Sequence, residues 1–176
     1  VPDIAGRTVT VPDDVQRVVL GEGRLFFARA LLEGQKPFDR IVGWQGDFRK
    51  LDPQTYATYQ AKFPQIDKIP LIGNTSADSI SPEKVLTLAP QLAIFGLSGH
   101  GPGKESELVM QSQKACVPVV FVDSRTSPLK NTLPSMELLG HVLNRENLST
   151  DYLPLYPDHP CPRPDATTVL PAHTQP

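Results

Sequence analysis

The sequence has few of the residues that most often reveal a function. It contains two cysteines, four histidines and one tryptophan among 176 residues. The cysteines form no CxxC motif and the histidines form no short pairs, so neither set has the spacing of a zinc site. Cys116 and Cys161 permit one disulfide without requiring it. We therefore expect no structural metal.

The charge and the hydropathy of the chain disfavour other classes of protein. The formal net charge is −2 and the isoelectric point is about 6.1, and no local cluster of lysine and arginine stands out. Nucleic-acid binding usually needs such a basic patch. No apolar run approaches the roughly 18 residues of a membrane-spanning helix, and no charged and apolar leader precedes Val1. We expect a soluble protein, without membrane insertion, from which a signal peptide has been removed.

Motifs for common cofactors and nucleophiles are incomplete. Gly21-Glu22-Gly23 begins like the dinucleotide motif GxGxxG, but Phe26 stands at the third glycine position. Gly103-Lys104 resembles the end of a phosphate-binding loop, yet Glu105 follows where serine or threonine would bind magnesium. Residues 96–99 lack the spacing of a nucleophile elbow. Dinucleotide binding, Walker-type ATPase activity and hydrolase activity are therefore disfavoured.

The chain does contain five short apolar runs, each followed by residues with helical spacing. These runs are 17–21, 40–44, 69–73, 92–96 and 117–123. Strands that are apolar on both faces are typical of a parallel sheet that helices cover on both sides. Residues 1–12 predict a small β-hairpin at an edge. The sequence thus predicts an α/β fold, a parallel sheet with helices on both faces and an N-terminal β-hairpin.

The helical segments divide the chain into a lobe and a tail. Helices are predicted over 24–33, 53–62, 82–88, 103–115 and 133–143, two of which begin with a capping residue followed by proline. Seven prolines fall within residues 147–176, which excludes a long helix there and favours extended or disordered chain. We expect one lobe at 1–146 and a proline-rich tail at 147–176.

Candidate binding residues follow the ends of the predicted strands. They are Arg24, Trp44, Asn74, His100 and Arg125. Because the carboxyl ends of parallel strands meet at one edge of the sheet, these side chains should lie along one rim. Arginine presents a planar fork to oxyanions and tryptophan a flat apolar face, a combination suited to a bulky anionic ligand. Taken singly, a residue at such a position is more often a solvated or half-packed rim residue.

Several segments of residues 1–146 resemble a known family. They are 3–12, 16–19, 70–73, 81–94 and 117–123. They resemble the amino-terminal lobe of iron-complex periplasmic substrate-binding proteins, which serve ABC importers of ferric siderophores, haem and cobalamin. The most specific part is a Ser-x-Glu helix start that leads to a Leu-x-Pro-x-Leu strand start, here within residues 81–92. The resemblance implies a Rossmann-like lobe of a class III binding protein, located in the periplasm, with a second lobe across a ligand cleft.

The resemblance also implies roles for individual residues. The strand-end loops would form this lobe's half of the cleft, and Glu83 would dock on the permease through an ion pair. A carboxylate in the first turn of a helix also stabilises that helix without any partner. Asn74 stands where haem-binding relatives commonly have tyrosine, which disfavours haem. The expected ligand is a ferric siderophore, and neither an intrinsic cofactor nor enzyme activity is expected.

Two positions depart from the family pattern. Cys116 stands where the family usually has glycine, so we expect a strained backbone with positive φ there. The chain also reaches the proline-rich tail where a linking helix, beginning near Leu133, should run on into a second lobe. A single lobe buries less ligand than a closed cleft, which predicts weak binding by the monomer. Either the chain is a fragment or altered form of a longer protein, or a homodimer completes the site.

Three alternatives remain open at the level of sequence. The ligand could be cobalamin or another metal chelate. The chain could be a chelatase-like enzyme in which His100 and Glu22 act on a tetrapyrrole. It could also be a lobe that binds no ligand and serves as an interaction module.

Overall fold

The computed structural model describes residues 1–97 and 102–152, without the side chains of Ala77 and of residues 150–152. A parallel sheet of five strands forms the centre of the described part, in the order β3-β2-β1-β4-β5. The strands are β1 Val18–Leu20, β2 Ile41–Gln45, β3 Leu71–Gly73, β4 Leu92–Gly96 and β5 Val119–Val122. The predicted parallel sheet is confirmed, and each strand lies inside or one residue beyond a predicted run.

The five predicted helices form, and two further helices within the described residues, at 47–51 and 146–152, were not predicted. The helices are α1 Phe26–Glu33, α2 Asp47–Leu51, α3 Pro53–Lys62, α4 Pro82–Thr87, α5 Glu107–Lys114, α6 Pro128–Val142 and α7 Glu146–Tyr152, with 3-10 turns at Gly23–Leu25, Pro64–Lys68 and Ala77–Ser79. The Asp52 carboxylate accepts a hydrogen bond from the amide of Thr55 at 3.2 Å, which caps α3. α6 begins at Pro128, five residues before the predicted start at Leu133, because proline fits the first helical turn.

Helices cover both faces of the sheet. On one face, α1, α3 and α6 pack on the strands through a cluster that includes Phe26, Tyr56 and Leu139. On the other face, α4 and α5 pack through a second cluster that includes Val85 and Val109. The side chains of successive strand residues point to opposite faces, so β1, β4 and β5 each contribute buried side chains to both clusters.

The N-terminal segment covers the outer edge of β5. The predicted hairpin forms as one antiparallel bridge between Pro2 and Thr8, with hydrogen bonds from the amide of Asp3 to the carbonyl of Arg7 at 2.9 Å and from the amide of Val9 to the carbonyl of Val1 at 2.8 Å. The amide of Ile4 donates to the carbonyl of Phe121 at 3.1 Å. The Asp3 carboxylate binds Arg7 Nη2 at 2.6 Å and accepts from the Phe121 amide at 3.3 Å. These contacts pair polar groups that an edge strand otherwise leaves open.

The first six residues of the predicted tail are helical and not extended, which corrects the sequence interpretation. Residues 147–152 belong to α7, which ends before Pro154, so no proline interrupts its turns. α7 packs closely on α6, since a Cβ atom added at Gly140 would lie 2.4 Å from Ser149 Oγ. Residues 153–176 lie outside the described part, and the boundary of the lobe at residue 146 stays a prediction.

Cys116 has the strained backbone that the sequence predicted. Its φ is +59°, in the left-handed region that favours glycine, and its side chain is exposed. Such a conformation costs a residue with a Cβ atom about 1–2 kcal/mol. Cys161, its only potential disulfide partner in the sequence, lies outside the described residues.

We expect Cys116→Gly to raise the free energy of unfolding by about 0.5–1 kcal/mol, because relief of strain exceeds the added freedom of the unfolded chain. Urea unfolding measures the change. The matched control is Ala115→Gly at the neighbouring position, where φ is −86° and glycine should destabilise. A loss of stability in Cys116→Gly would contradict the prediction.

Candidate functional site

Polar contacts join the loops at the carboxyl ends of the strands. The amide of Gly46, after β2, donates to the carbonyl of Gly73 at the end of β3 at 3.0 Å. Arg24 and Asp47 join the loops after β1 and β2, and Glu22 and Arg125 join the loops after β1 and β5. The carboxyl edge of the sheet, where open α/β sheets bind ligands, is therefore one connected polar surface.

Arg24 is held by a buried carboxylate. Its Nε lies 3.0 Å from Asp47 Oδ2, and the Asp47 side chain is 0% exposed. The amide of Gly23 donates to the other Asp47 oxygen at 2.5 Å. Arg24 Nη2 is buried and has no hydrogen-bond partner. A buried donor without an acceptor is unfavourable, so an oxygen that reached this atom would stabilise the site.

Arg125, after β5, is also held by a buried carboxylate, which lies in the loop after β1 on the other side of β4. Its Nη1 lies 2.7 Å from Glu22 Oε2, and the Glu22 side chain is 1% exposed whereas that of Arg125 is 39% exposed. β1 and β5 are the two neighbours of β4, and strands two positions apart in a sheet are about 10 Å apart. The ion pair thus spans the end of β4, and the exposed part of the guanidinium can face a ligand.

The loop that carries Arg125 is fixed by Asp123. The Asp123 carboxylate accepts hydrogen bonds from Asn131 Nδ2 at 2.7 Å and from the amides of Thr126, Arg125 and Ser127 at 2.8–3.0 Å. Burial by itself would raise the pKa of Asp123, but these hydrogen bonds outweigh it and hold the pKa at about 2. The carboxylate is therefore ionised at neutral pH and organises the turn before α6.

Trp44 and Asn74 line one cavity at the β3 side of the sheet, with a volume of about 450 Å³. Arg49, Lys50 and Tyr56 also line it, and Lys50 Nζ lies 3.4 Å from Asn74 Oδ1. Trp44 is only 2% exposed, and its ring centroid lies 5.9 Å from those of Phe38 and Phe48. Trp44 is consequently a core residue that forms part of a cavity wall, whereas Asn74 is exposed.

Glu83 lies in the first turn of α4 and is exposed. Ser81, which caps α4, donates its hydroxyl to Glu83 Oε2 at 2.8 Å. The backbone amide of Glu83 and then the Ser81 hydroxyl lower the pKa of the carboxyl group. The amide of Ser81 donates to the carbonyl of Ile72 in β3 at 3.0 Å. Glu83 therefore presents an ionised carboxylate beside the carboxyl edge of the sheet.

The sequence interpretation overlooked the carboxylates that position the arginines. Asp47 and Asp123 were not singled out, and Glu22 was considered only as a chelatase residue. An acidic residue within two positions of the end of an apolar strand was the signal available for all three. His100 lies outside the described residues.

The glycines that resemble a dinucleotide motif have steric roles. A Cβ atom at Gly21 would lie 1.8 Å from the Phe95 ring, and one at Gly23 would lie 2.7 Å from the carbonyl of Gln45. No group of three or more metal-binding side chains occurs in residues 1–97 and 102–152. Within the same ranges, no helix combines the length and the apolar character needed to cross a bilayer.

The fold matches solved periplasmic binding proteins. The TroA-like periplasmic binding protein FepB from Veillonella parvula superposes with a TM-score of 0.79 at 24% identity, over 89% of this chain and 45% of that one. The molybdate-bound protein MolA of a Haemophilus influenzae ABC transporter matches with a TM-score of 0.66 at 19% identity, over 86% and 48%. The haem-binding protein HmuT matches with a TM-score of 0.57 at 18% identity, over 86% and 42%.

These likenesses confirm the fold that the resemblance implied, that of one lobe of a TroA-like periplasmic binding protein. This chain spans less than half the length of each of the three structures. No protein-family model matches the sequence, and no curated protein matches it. The three neighbours named above are binding proteins.

We expect Asp123→Asn to lower the free energy of unfolding by about 2 kcal/mol at pH 7, since the pKa of Asp123 lies below its ordinary 3.8. The stabilisation from the lowered pKa is complete above about pH 5 and is lost as the pH falls through about 2. Urea unfolding of the unaltered chain between pH 5 and pH 2 should show this loss, and the variant should lack that part of it. Parallel pH profiles for the two chains would contradict the assignment.

Proposed function

We propose that this chain forms one lobe of the periplasmic substrate-binding component of an ABC importer, and that its ligand is an iron complex, a ferric siderophore. The observation that carries the proposal is the pair of arginines at the carboxyl edge of the sheet, each held by a buried carboxylate. The named solved structures are binding proteins with this fold, and one of them is molybdate-bound, which supports an oxyanion-rich ligand.

The arrangement of the arginines suits an anionic chelate. Each guanidinium uses one edge for its carboxylate and retains other donors, which can bind carboxylate, catecholate or hydroxamate oxygens. Arg24 and Arg125 attach to the ends of β1 and β5, so the two groups can contact separate parts of a bulky ligand. Asn74 and the cavity beside it would extend the contact surface toward β3, and His100 would approach from the loop after β4.

The role proposed for Glu83 is docking on the permease. An exposed carboxylate with a lowered pKa remains charged across the periplasmic pH range and can pair with an arginine of a partner. Its place beside the carboxyl edge would bring the loaded site toward the transporter. Its hydrogen bond with Ser81 also fixes the direction in which the carboxylate points.

An enzyme of the chelatase type is less well supported. Glu22 was the candidate acid or base, but its side chain is 1% exposed and pairs with Arg125 at 2.7 Å. A carboxylate so held positions the arginine and is poorly placed to exchange protons with a substrate. Cobalamin and other chelates remain alternative ligands for the same site.

Ligand binding should quench Trp44, the single tryptophan. We expect saturable quenching by one ferric siderophore in a panel that includes haem and cobalamin. Tryptophan amide, titrated in parallel, corrects for the light that each coloured ligand absorbs. Because one lobe buries only part of a ligand, the Kd should lie in the micromolar range or above, about 10⁻⁶ M or weaker. Sedimentation of the same samples reports whether two copies complete the site.

Arg125→Gln should weaken this binding by about tenfold or more, because it removes a charged donor from the ligand. The matched control is Lys36→Gln, which makes the same charge change at an exposed position after α1, at the opposite edge of the sheet. Equal affinity of the two variants, or no quenching by any member of the panel, would contradict the proposed site.

Glu83→Gln should reduce uptake of iron in cells that depend on the importer, while the Trp44 titration stays unchanged. The control is Glu146→Gln, which alters an exposed first-turn carboxylate of α7, a helix that follows the end of α6. If uptake falls equally in both variants or in neither, Glu83 does not dock the lobe. A loss of ligand affinity in Glu83→Gln would instead place it in the binding site.

A further inference from the structure

The cavity beside Trp44 and Asn74, the β3 cavity, reaches the carboxyl edge of the sheet. Gly46 and Asn74, which directly follow β2 and β3, form part of its lining. The rest comes from α2, α3, the 3-10 turn Pro64–Lys68 and the strands themselves. Its volume of about 450 Å³ is typical of small-molecule sites, which span about 300–1,000 Å³. The cavity is therefore large enough to hold a substantial part of a ligand.

Aromatic rings form one wall of the β3 cavity. The ring centroids of Trp44 and Phe48 lie 5.9 Å apart at an interplanar angle of 83°, and both side chains are buried. The Tyr56 ring lies 5.4 Å from that of Phe48 at an angle of 71°. Edge-to-face contacts of this kind are favourable and hold the rings in place. The wall is preformed, so a flat aromatic group can pack on it with little loss of side-chain entropy.

Two cations also line the β3 cavity. Arg49 and Lys50 are consecutive residues of α2 and are both exposed. The guanidinium carbon of Arg49 lies 5.6 Å from the centroid of the Tyr56 ring, and Lys50 Nζ lies 3.4 Å from Asn74 Oδ1. Neither cation forms a salt bridge with a carboxylate of residues 1–97 or 102–152. Both retain hydrogen-bond donors for an anionic group.

The lining also includes the carboxylate of Asp67, which is already hydrogen-bonded. The Tyr56 hydroxyl donates to Asp67 Oδ1 at 2.8 Å, and Gln60 Nε2 donates to Asp67 Oδ2. These hydrogen bonds lower the pKa of Asp67. Burial, and then the hydrogen bond with Asp67, raises the pKa of Tyr56 to about 12, so Tyr56 is neutral at pH 7. The two cations therefore outweigh the one carboxylate, and the lining favours an anion.

The β3 cavity lies next to the Arg24 ion pair. Asp47, which holds Arg24, and Lys50 are three positions apart in α2. Side chains at this spacing are neighbours on a helix. One ligand can therefore contact Arg24 and extend into the cavity.

We propose that the β3 cavity binds an aromatic ring that carries a carboxylate. The ring packs on Trp44, Phe48 and Tyr56, and the carboxylate binds Arg49 and Lys50. The further step, that this group is an arm of the imported chelate, rests on the proposed function. It defines the substrate class as chelates with aryl carboxylate arms, in preference to wholly aliphatic ones.

Benzoate, titrated into the full chain, tests the cavity without any iron complex. The single tryptophan gives one indole N–H signal in the NMR spectrum, and Trp44 forms part of the cavity wall. We expect this signal to shift and to saturate, with a Kd of about 10⁻³ M for so small a ligand. Benzamide, the neutral isostere, should bind about tenfold more weakly, because it lacks the charge.

Arg49→Gln and Lys50→Gln should each weaken the binding of benzoate by about threefold to tenfold, since each removes one of the two cations. The matched control is Lys36→Gln, an exposed charge change outside the cavity, which should leave the Kd unchanged. A signal that does not saturate, equal affinity for benzoate and benzamide, or equal affinity in all three variants would overturn the proposal. None of these results would bear on the arginine site, which the Arg125→Gln titration tests separately.

Competition tests the further step. Benzoate at about ten times its Kd should raise the Kd of the ferric siderophore by up to about tenfold, because both occupy the cavity. An unchanged Kd would overturn the assignment of the cavity to an arm of the chelate. If benzoate binds as expected but no ferric chelate binds, the proposed function is wrong and the aryl carboxylate site stands.

Discussion

The side chains of β1, β4 and β5 are at most 3% exposed, on both faces of the sheet. Helices must therefore cover both faces, and right-handed crossovers bring every strand into the sheet in the same direction. Only then do the carboxyl ends of all five strands meet at one edge. Gly21 allows the β1 strand end to approach Phe95 of the neighbouring strand, which a side chain at that position would prevent. The polar edge thus depends on tight apolar packing below it.

At that edge, carboxylates are buried and arginines are partly exposed. Glu22 and Asp47 have lost nearly all contact with water, which is unfavourable unless each is paired and hydrogen-bonded. Their partners are thereby held across neighbouring loops, one between β1 and β2 and one over the end of β4. Asp123 adds a third fixed point through its four hydrogen bonds. The loops are preorganised, which lowers the entropy that a ligand must remove on binding.

The parallel sheet could be predicted because the strands are apolar on both faces, and two helix starts because a capping residue precedes a proline. The positive φ of Cys116 could be predicted from its place before the last strand. Burial of Trp44 could not, because the Phe26, Phe38 and Phe48 rings that enclose it come from different elements. The roles of Glu22 and Asp47 also depend on loops that are distant in sequence. The helix at residues 147–152 was not predicted, because the seven prolines at 154–176 made the whole segment from 147 onward look extended by composition.

The two outer strands of the sheet differ in a way that bears on self-association. The N-terminal segment binds the backbone of β5 through Ile4 and Asp3, so that strand has no free run of amides and carbonyls for another chain. β3 ends the sheet on the other side, is three residues long, and carries the half-exposed Leu71. Strand pairing between copies could then join one β3 to another, but it would not propagate into a fibre through the sheet, because residues 1–97 and 102–152 leave one of its two edges available.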